Sequence, residues 1–215
     1  IAHNPKIGES SPYLTAQHAV LEATAKVVAS GSTPVALTDC LCFGNPEKPE
    51  QMWQFSESCR GIKEACSKLG FEHGAGLPIV AGNVSFYNQS GERAVPPSPI
   101  IGCFGKTNDV SLSIKNSLQD KESTLLLLGG VGNKLGGSMV VDLFGVENNV
   151  VHNFSVTKYN KMLNALLELI NKRAVLSSRV VTRGGLVVAL AKMSFMNEVG
   201  VLSTVGRENF SEKIF

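Results

Sequence analysis

Hydrophobic and polar residues follow one another along the first half of the chain in a pattern that predicts alternating helices and strands. Between 14 and 29, apolar residues recur every three to four positions, which is the spacing of an amphipathic helix. The elements predicted in this half are, in order, a helix at 14–29, a mostly apolar strand at 33–43, a helix at 49–69, a strand at 77–83, a strand–turn–strand at 84–95 and a strand at 100–105.

A polar stretch at 106–121 separates this half from a second series of predicted elements. They are a buried strand at 123–130, a glycine-rich segment at 131–138, a helix at 158–172, a strand at 175–181 and a helix at 183–193. Because strand and helix begin to alternate anew after the polar stretch, the sequence predicts an α/β (α+β) fold of two lobes. The predicted domains are 1–118 and 119–215.

Composition and charge narrow the class of protein. The chain has 215 residues, of which 43% are hydrophobic and 18% charged, and a formal net charge of +2, so a substantial core is expected and disorder is not. The apolar stretch at 125–132 is far shorter than the roughly 18 residues of a membrane span, and no basic run indicates nucleic-acid binding. The charged fraction lies below the roughly 25% of typical soluble domains, and the first residue is Ile1. We therefore expect a fragment of a longer protein whose other domains cover part of its surface.

Five cysteines, an odd number without a signal peptide before them, favour the reducing cytoplasm over a disulfide framework. Cys40 and Cys42 form a C-x-C pair, but no second pair of Cys or His follows at the spacing of a zinc site, so zinc is disfavoured. Cys59 and Cys66 are seven residues apart on one face of a predicted helix, and we interpret them as buried small hydrophobic residues.

Polar side chains near the ends of two predicted strands are the candidates for chemistry. Asp39 closes an apolar run, where a carboxylate needs a cation, a hydrogen-bond donor or water; capping of the following loop is the structural alternative. In the next strand, Gly82 would let a ligand approach the backbone, Asn83 offers an amide oxygen for Mg²⁺, and Ser85 projects from the same face as Asn83. A glycine bulge followed by an asparagine turn explains the same residues without a ligand, and the pattern alone favours this explanation. The pattern alone indicates a polar cluster that suits phosphate and Mg²⁺.

Two glycine-rich segments, at 131–138 and 182–186, are weaker candidates. Neither ends in the G-K-[ST] of a P-loop, and neither fits the dinucleotide pattern G-x-G-x-x-G. The second opens a predicted helix whose free N–H groups could hold an anion, although tight packing of strand and helix is the favoured explanation of its glycines. No G-x-S-x-G is present and the histidines share no pattern with Ser or Cys, so no catalytic residue is assigned.

Three runs of residues carry a family resemblance. They are TDCLCFGNPEKPEQMWQF (38–55), LPIVAGNVSFYNQSG (77–91) and PPSPIIGCFG (96–105), in that order. Together they resemble the second half of the phosphoribosylformylglycinamidine synthase family, which belongs to the aminoimidazole ribonucleotide synthetase-like superfamily. The resemblance is dense over 8–105 and weaker beyond. It implies an N-type lobe, truncated at its N-terminus, followed by a partial C-type α+β lobe.

The resemblance also implies an activity and a site. The family uses ATP and Mg²⁺ to activate the formamide oxygen of formylglycinamide ribonucleotide, and ammonia from glutamine, released by a glutaminase domain or subunit, then gives the amidine. By this match Asp39 and Gly82 contact ATP, Asn83 binds Mg²⁺ and Ser85 contacts the substrate. The implied partners are the missing N-terminal half of the same chain and the glutaminase; no nucleic acid or membrane is expected.

Departures from the family pattern limit what this chain does by itself. The family's catalytic histidine, its lysine and most of its carboxylate ligands lie in the half that is absent here. The second-lobe motif, usually D-V-S-E/D-G-G-L, reads VVTRGGL at 180–186, so that both acids are replaced, one of them by Arg183. We therefore expect this polypeptide alone to lack synthetase activity.

Two alternatives stay open at this point. The chain could come from another superfamily enzyme, such as selenophosphate synthetase, thiamine phosphate kinase or a hydrogenase-maturation dehydratase. It could also be mainly structural, as one half of a pseudo-dimer that holds a nucleotide without turning it over.

Overall fold

A three-stranded mixed sheet with helices on one face forms the first part of the molecule. The structure, a computed structural model, describes residues 1–71, 74, 76–120, 122–130, 134–145 and 150–202. The helices are α1 (Pro5–Ser10), α2 (Pro12–Ala29), α3 (Pro49–Lys68), α4 (Met139–Phe144), α5 (Val156–Asn171) and α6 (Gly185–Ser194). The strands are β1 (Thr33–Cys42), β2 (Ile79–Ser85), β3 (Gln89–Ser90), β4 (Arg93–Ala94) and β5 (Ser98–Lys106), and a short 3₁₀ helix spans Val110–Leu112.

The sheet has the order β2-β1-β5, with β1 parallel to β2 and antiparallel to β5. The pairing of β1 with β2 slips by one residue between Leu37 and Thr38, opposite Ile79 and Ala81, before it continues in register to Ser85. Strands β3 and β4 form a separate hairpin between β2 and β5. Strand β1 is therefore central, and β2 is an edge strand of this sheet.

Helices α2 and α3 cover the face of the sheet that carries Leu37 and Leu41, both of which are buried. Helix α2 begins at Pro12 because Ser11 accepts a hydrogen bond from the N–H of Leu14 and because proline suits the first helical position. Five of the twelve buried positions of this helix are alanines, whose small side chains let neighbouring elements approach closely. At the contact with α3, a Cβ on Gly61 would overlap the carbonyl oxygen of Tyr13. The core is a layer of small helical residues against branched strand residues.

In the second part of the chain, the two predicted helices are present, the two predicted strands are not, and helix α4 (Met139–Phe144) was not predicted. Helix α5 packs on α2 through Leu163 and Leu167, and α6 begins close to the predicted position. The segments 123–130 and 175–181 are not strands, apart from an isolated bridge between Lys115 and Ser177. Within the described residues no strand lies beside either of them, and a lone strand would leave its backbone groups unpaired. The prediction of two strands here was wrong.

The run 123–130 is also not buried, contrary to the prediction. All four of its leucines are exposed, and Leu126 keeps 79% of its surface. Residues 131–133 of the predicted glycine-rich segment and 203–215 of the predicted second domain lie outside the described residues. In the part that is described, no helix is long and apolar enough to cross a membrane.

Candidate functional site

The parallel pairing of β1 with β2 brings the four predicted site residues into one stretch of the sheet. Asp39 pairs with Gly82, Cys40 with Asn83, and Cys42 with Ser85. Because successive side chains on a strand point to opposite faces, the Asp39 side chain lies on the helix-covered face at Gly82, whereas Asn83 and Ser85 project from the open face. The predicted cluster therefore consists of two pairs on opposite sides of the sheet.

The close contact at Gly82 is with Asp39. A Cβ at position 82 would overlap Oδ1 of the Asp39 carboxylate, so only glycine leaves room for this side chain. Gly82 lies inside β2, and the irregularity of the register falls before Ala81. The expectation of a glycine bulge at 82 is therefore wrong, and the glycine is explained by the neighbouring carboxylate.

Asp39 is a half-buried carboxylate without a described ion pair. Burial raises its pKa, and a hydrogen bond with the backbone of Asn83 acts in the opposite direction. Its charge in turn contributes to raising the pKa of two thiols on α3, Cys59 and Cys66, which are affected mainly by burial. A carboxylate that is paired with no cation among the described residues is suited to meet a positively charged group or a donor from a ligand.

Asp39 does not cap the loop that follows its strand. The strand continues for three residues to Cys42, and in the GNPEKPE loop the side chain of Asn45 accepts a hydrogen bond from the N–H of Glu47 at 2.8 Å. Asn45 therefore caps this loop, and capping does not explain why position 39 is an aspartate.

Asn83 and Ser85 differ in how firmly they are held. Asn83 is exposed, and its Nδ2 lies 3.9 Å from Sγ of Cys40. The hydroxyl of Ser85 is within 3.1 Å of Nδ2 of Asn88, which donates to it. A freely presented amide and a positioned hydroxyl therefore stand two residues apart on the open face.

Asn88 is a residue that the sequence reasoning missed. Its Nδ2 donates to the carbonyl oxygens of Ser85 at 2.8 Å and of Phe43 at 3.0 Å. Its own N–H donates to Phe43, and the N–H of Tyr87 donates to the carbonyl of Gly44. These bonds join the end of β2 to the start of the GNPEKPE loop. The sequence run S-F-Y-N contained the signal, since an asparagine after a strand commonly binds nearby backbone groups.

The turn after Ser85 also presents a tyrosine in an uncommon conformation. Tyr87 has a φ of 58°, in the left-handed region, and its ring is exposed. Residues of this hairpin, from Tyr87 to Ser90 and from Arg93 to Pro96, line a hollow of about 600 Å³. This hollow is shallow and open to solvent, and Ser85 is linked to it only through Asn88, which lines it.

The other described hollow lies away from these residues. It has a volume of about 520 Å³ and is lined by the first turns of α2 and α5 and by α3, with Tyr13, Trp53 and Arg60 among its walls. Arg60 is engaged there by Glu57 and Glu64 and stacks on the ring of Tyr13. None of the predicted site residues contributes to it.

A complete magnesium site is not formed by the described part of the chain. No group of three or more His, Cys, Asp or Glu side chains there is placed to hold a metal ion. Asn83 supplies one amide oxygen on an open face, which fits a contribution to a shared ligand set, because Mg²⁺ takes oxygen ligands.

The glycines of 182–186 are explained by backbone conformation. Gly184 and Gly185 have φ values of 88° and 68°, which favour glycine, and a Cβ on Gly184 would overlap the Val188 side chain. Val188 belongs to α6 itself and 175–181 is not a strand, so the packing of a strand against this helix that the sequence favoured is not observed.

Comparison with known proteins identifies the family to which this fold belongs. Residues 1–107 match the family described as AIR synthase related protein, N-terminal domain. This part of the chain therefore belongs to the AIR synthase-related family, and the predicted α/β class with an N-type lobe is confirmed.

The particular relatives are phosphoribosylformylglycinamidine synthase subunits PurL. The subunit of Methanothrix thermoacetophila is 39% identical over 201 residues, which is 92% of this chain and 26% of that protein. The subunit of Tropheryma whipplei is 33% identical over 216 residues, 99% of this chain and 28% of that protein. The resemblance found in the sequence is thereby confirmed, and the chain spans about a quarter of the length of these curated relatives.

Solved structures show the same fold. Thermotoga maritima PurL complexed with FGAR has a TM-score of 0.53 at 24% identity, covering 80% of this chain and 23% of that one. The same protein complexed with ATP has a TM-score of 0.53 at 21% identity, covering 79% and 23%. A HypE–HypF complex, at 18% identity, reaches a TM-score of 0.59 and covers 89% of this chain and 61% of that one.

Proposed function

We propose that this chain supplies ATP, Mg²⁺ and substrate contacts to a phosphoribosylformylglycinamidine synthase, a ligase of de novo purine biosynthesis. The observation that carries the proposal is the register of β1 and β2, which places Asp39 beside Gly82 on the helix-covered face and Asn83 and Ser85 on the open face of the same stretch of sheet. It occurs in a chain that is 39% identical to a PurL subunit over 201 residues.

Each residue has a role that its surroundings allow. Asp39, half-buried and without a described cation, would accept hydrogen bonds from the nucleotide, and Gly82 keeps the backbone clear for that carboxylate. Asn83 would hold Mg²⁺, which neutralises charge on the transferred phosphoryl group when bound. The hydroxyl of Ser85 accepts a hydrogen bond from Nδ2 of Asn88 at 3.1 Å and donates one to Oδ1 of Asn88 at 3.3 Å, and it would exchange the second bond for one to the substrate.

The substrate and cofactors follow from the relatives. We infer that formylglycinamide ribonucleotide and ATP are bound, which is supported by the complexes of Thermotoga maritima PurL with FGAR and with ATP. Activation of the amide oxygen by ATP makes it a leaving group that ammonia can displace. We further propose that a glutaminase domain or subunit supplies the ammonia and that the enzyme is cytoplasmic.

The remainder of the site would come from the rest of a longer protein. The chain spans about a quarter of the length of its relatives, and the described residues hold no group of three or more His, Cys, Asp or Glu side chains placed for a metal ion. We propose a division into an N-type lobe at 1–118 and a partial C-type lobe at 119–215, and no synthetase activity for this polypeptide by itself.

The structural alternative has two observations in its favour. No group of three or more His, Cys, Asp or Glu side chains among the described residues is placed to hold a metal ion, and the segment 180–186 carries Arg183 where the resembled family has an acid. A half that retains a nucleotide without turnover would keep ADP tightly during purification even in the presence of a chelator. Loss of nucleotide on chelation, together with ATP-dependent turnover that needs Asp39, would exclude that role.

The roles are tested by replacing Asp39 with alanine in the full-length enzyme that contains this segment. Loss of a hydrogen bond to a charged group costs roughly 1.5–3 kcal/mol, so the KM for ATP should rise about 10-fold or more. Glu92→Gln, an exposed carboxylate in the hairpin turn, is the matched control and should leave that KM unchanged. Equal KM values in all three proteins would remove Asp39 from the nucleotide site.

A further inference from the structure

Cys40 and Cys42 place two thiols side by side on the open face of the sheet. They are two residues apart on β1 and therefore project from the same face, opposite to the one that carries Leu37 and Leu41. Their Sγ atoms are 3.9 Å apart, and both side chains are half-buried rather than enclosed. The proposed ligase site uses neither thiol.

The separation of the two sulfur atoms suits one bridging ion and does not suit a disulfide. A disulfide requires Cβ atoms about 3.5–4.5 Å apart, whereas residues two apart on an extended strand are about 6.6 Å apart. Two zinc–sulfur bonds of about 2.3 Å at a tetrahedral angle hold their sulfur atoms about 3.8 Å apart. The strand thus holds the thiols at the spacing of a chelate without any movement of the backbone.

Asn83 provides a third polar group at this position. Its Nδ2 is 3.9 Å from Sγ of Cys40, and a half-turn of the terminal amide would present Oδ1 in the same place. The described residues contain no cluster of three or more His, Cys, Asp or Glu side chains suited to a metal. A site here therefore has two thiolates and an amide oxygen, with water completing a tetrahedron.

We propose that Cys40 and Cys42, although they lack the second pair of ligands that a structural zinc site requires, form a two-thiolate binding site for a thiophilic divalent cation with a filled d shell, Zn²⁺ or Cd²⁺. Soft thiolate ligands select such ions over Mg²⁺, and binding releases the two thiol protons to solvent. Occupancy would compete with the role proposed above for Asn83. The binding itself does not depend on that role, so its test is independent of ligase activity.

The test is a titration of the protein with Cd²⁺, without Mg²⁺ and with a phosphine reductant, followed by the ultraviolet absorption of the cadmium–thiolate bond. One equivalent should saturate the signal. Cys40→Ser and Cys42→Ser should each weaken binding at least about 100-fold, since even outer-shell partners of a metal are worth roughly 10–100-fold. Cys59→Ser, a half-buried thiol on α3, is the matched control and should bind as the wild type does.

A second measurement needs no variant and so does not depend on how the substitutions fold. Iodoacetamide labelling of the wild-type protein, read by peptide mass spectrometry, should show Cys40 and Cys42 protected together by Cd²⁺ while Cys59 is not. Absence of a thiolate signal in the wild type, an undiminished signal in Cys42→Ser, or equal labelling with and without Cd²⁺ would each overturn the proposal.

Discussion

The part of the molecule that contains the sheet and the part after residue 118 both contain apolar runs, but the run in the first part is buried and the run in the second is exposed. In the first, β1 lies between two partner strands under α2 and α3, and Leu37 is fully buried. In the second, the leucines of 125–128 have no described strand beside them, and Leu126 is 79% exposed. Helix α5 is the exception, because Leu163 and Leu167 pack on α2. A run of leucines becomes a strand only where a neighbour can pair its backbone and cover its side chains.

The largest difference between the two parts should appear when a leucine is truncated in each. Leu37→Ala leaves a cavity in the core and should lower the free energy of unfolding by about 2–5 kcal/mol. Leu126→Ala removes an exposed side chain and should change it by less than about 0.5 kcal/mol. Chemical denaturation of this polypeptide measures both. Equal losses would mean that 123–130 is buried as firmly as the sheet.

Replacing a glycine by alanine should also change the free energy of unfolding differently in the two parts. Gly82→Ala would force Asp39 aside and should cost about 1–3 kcal/mol of unfolding free energy. Gly130→Ala, at a position with no atom within 4 Å of the added methyl group, should be close to neutral. Repeating Gly82→Ala in an Asp39→Ala background should remove most of the cost. A cost that persists there would show that the carboxylate is not what requires glycine.

The serines that cap the N-termini of α2 and α5 should differ less in their contribution to stability. Ser11 and Ser155 accept hydrogen bonds from the third residue of α2 and α5, at 3.2 and 3.4 Å. Ser11→Ala should cost about 1 kcal/mol, the usual value of a helix N-cap, and Ser155→Ala no more than that. Thermal denaturation of the two variants compares them. A larger loss at Ser155 would indicate that α5 contributes more to the cooperative unit than its packing suggests.

The smallest expected effect concerns pH. Because burial raises the pKa of Asp39 above its unfolded value, its protonation favours the folded state. The resulting stability is complete below the ordinary pKa of about 3.9 and is lost as the pH rises through the higher folded value. Asp39→Asn should therefore gain stability relative to the wild type across that window. A difference that is constant with pH, measured by denaturant titration from pH 3 to 7, would contradict the stated cause.

Much of the first part could be predicted from the sequence because its patterns are local. The helical spacing over 14–29 and the apolar run at 33–43 both agree with α2 and β1 to within two residues. The two-residue spacing of Asn83 and Ser85 correctly predicted that their side chains lie on the same face of the strand. The sequence could not show that Asp39 points to the helices and Asn83 away from them, because this depends on the register of β1 with β2.

The other features that the sequence did not predict depend on contacts between residues that are distant along the chain. The apolar runs at 123–130 and 175–181 read as strands, but a strand requires a partner that local patterns do not specify. Asn88 was missed because its role arises only when the end of β2 comes next to Phe43. Gly82 was explained by a bulge or by a ligand because its neighbour across the sheet, Asp39, was not visible in the sequence.

The most direct test of the central claim is the Mg²⁺ dependence of turnover in the full-length enzyme that contains this segment. If Asn83 binds Mg²⁺, we expect Asn83→Ala to lower kcat/KM at least about 10-fold and to raise the Mg²⁺ concentration that gives the half-maximal rate. Asn153→Ala, at an exposed asparagine outside the site, should follow the wild-type curve. Superimposable Mg²⁺ titrations of wild type and Asn83→Ala would contradict the claim that this edge of the sheet belongs to the metal site.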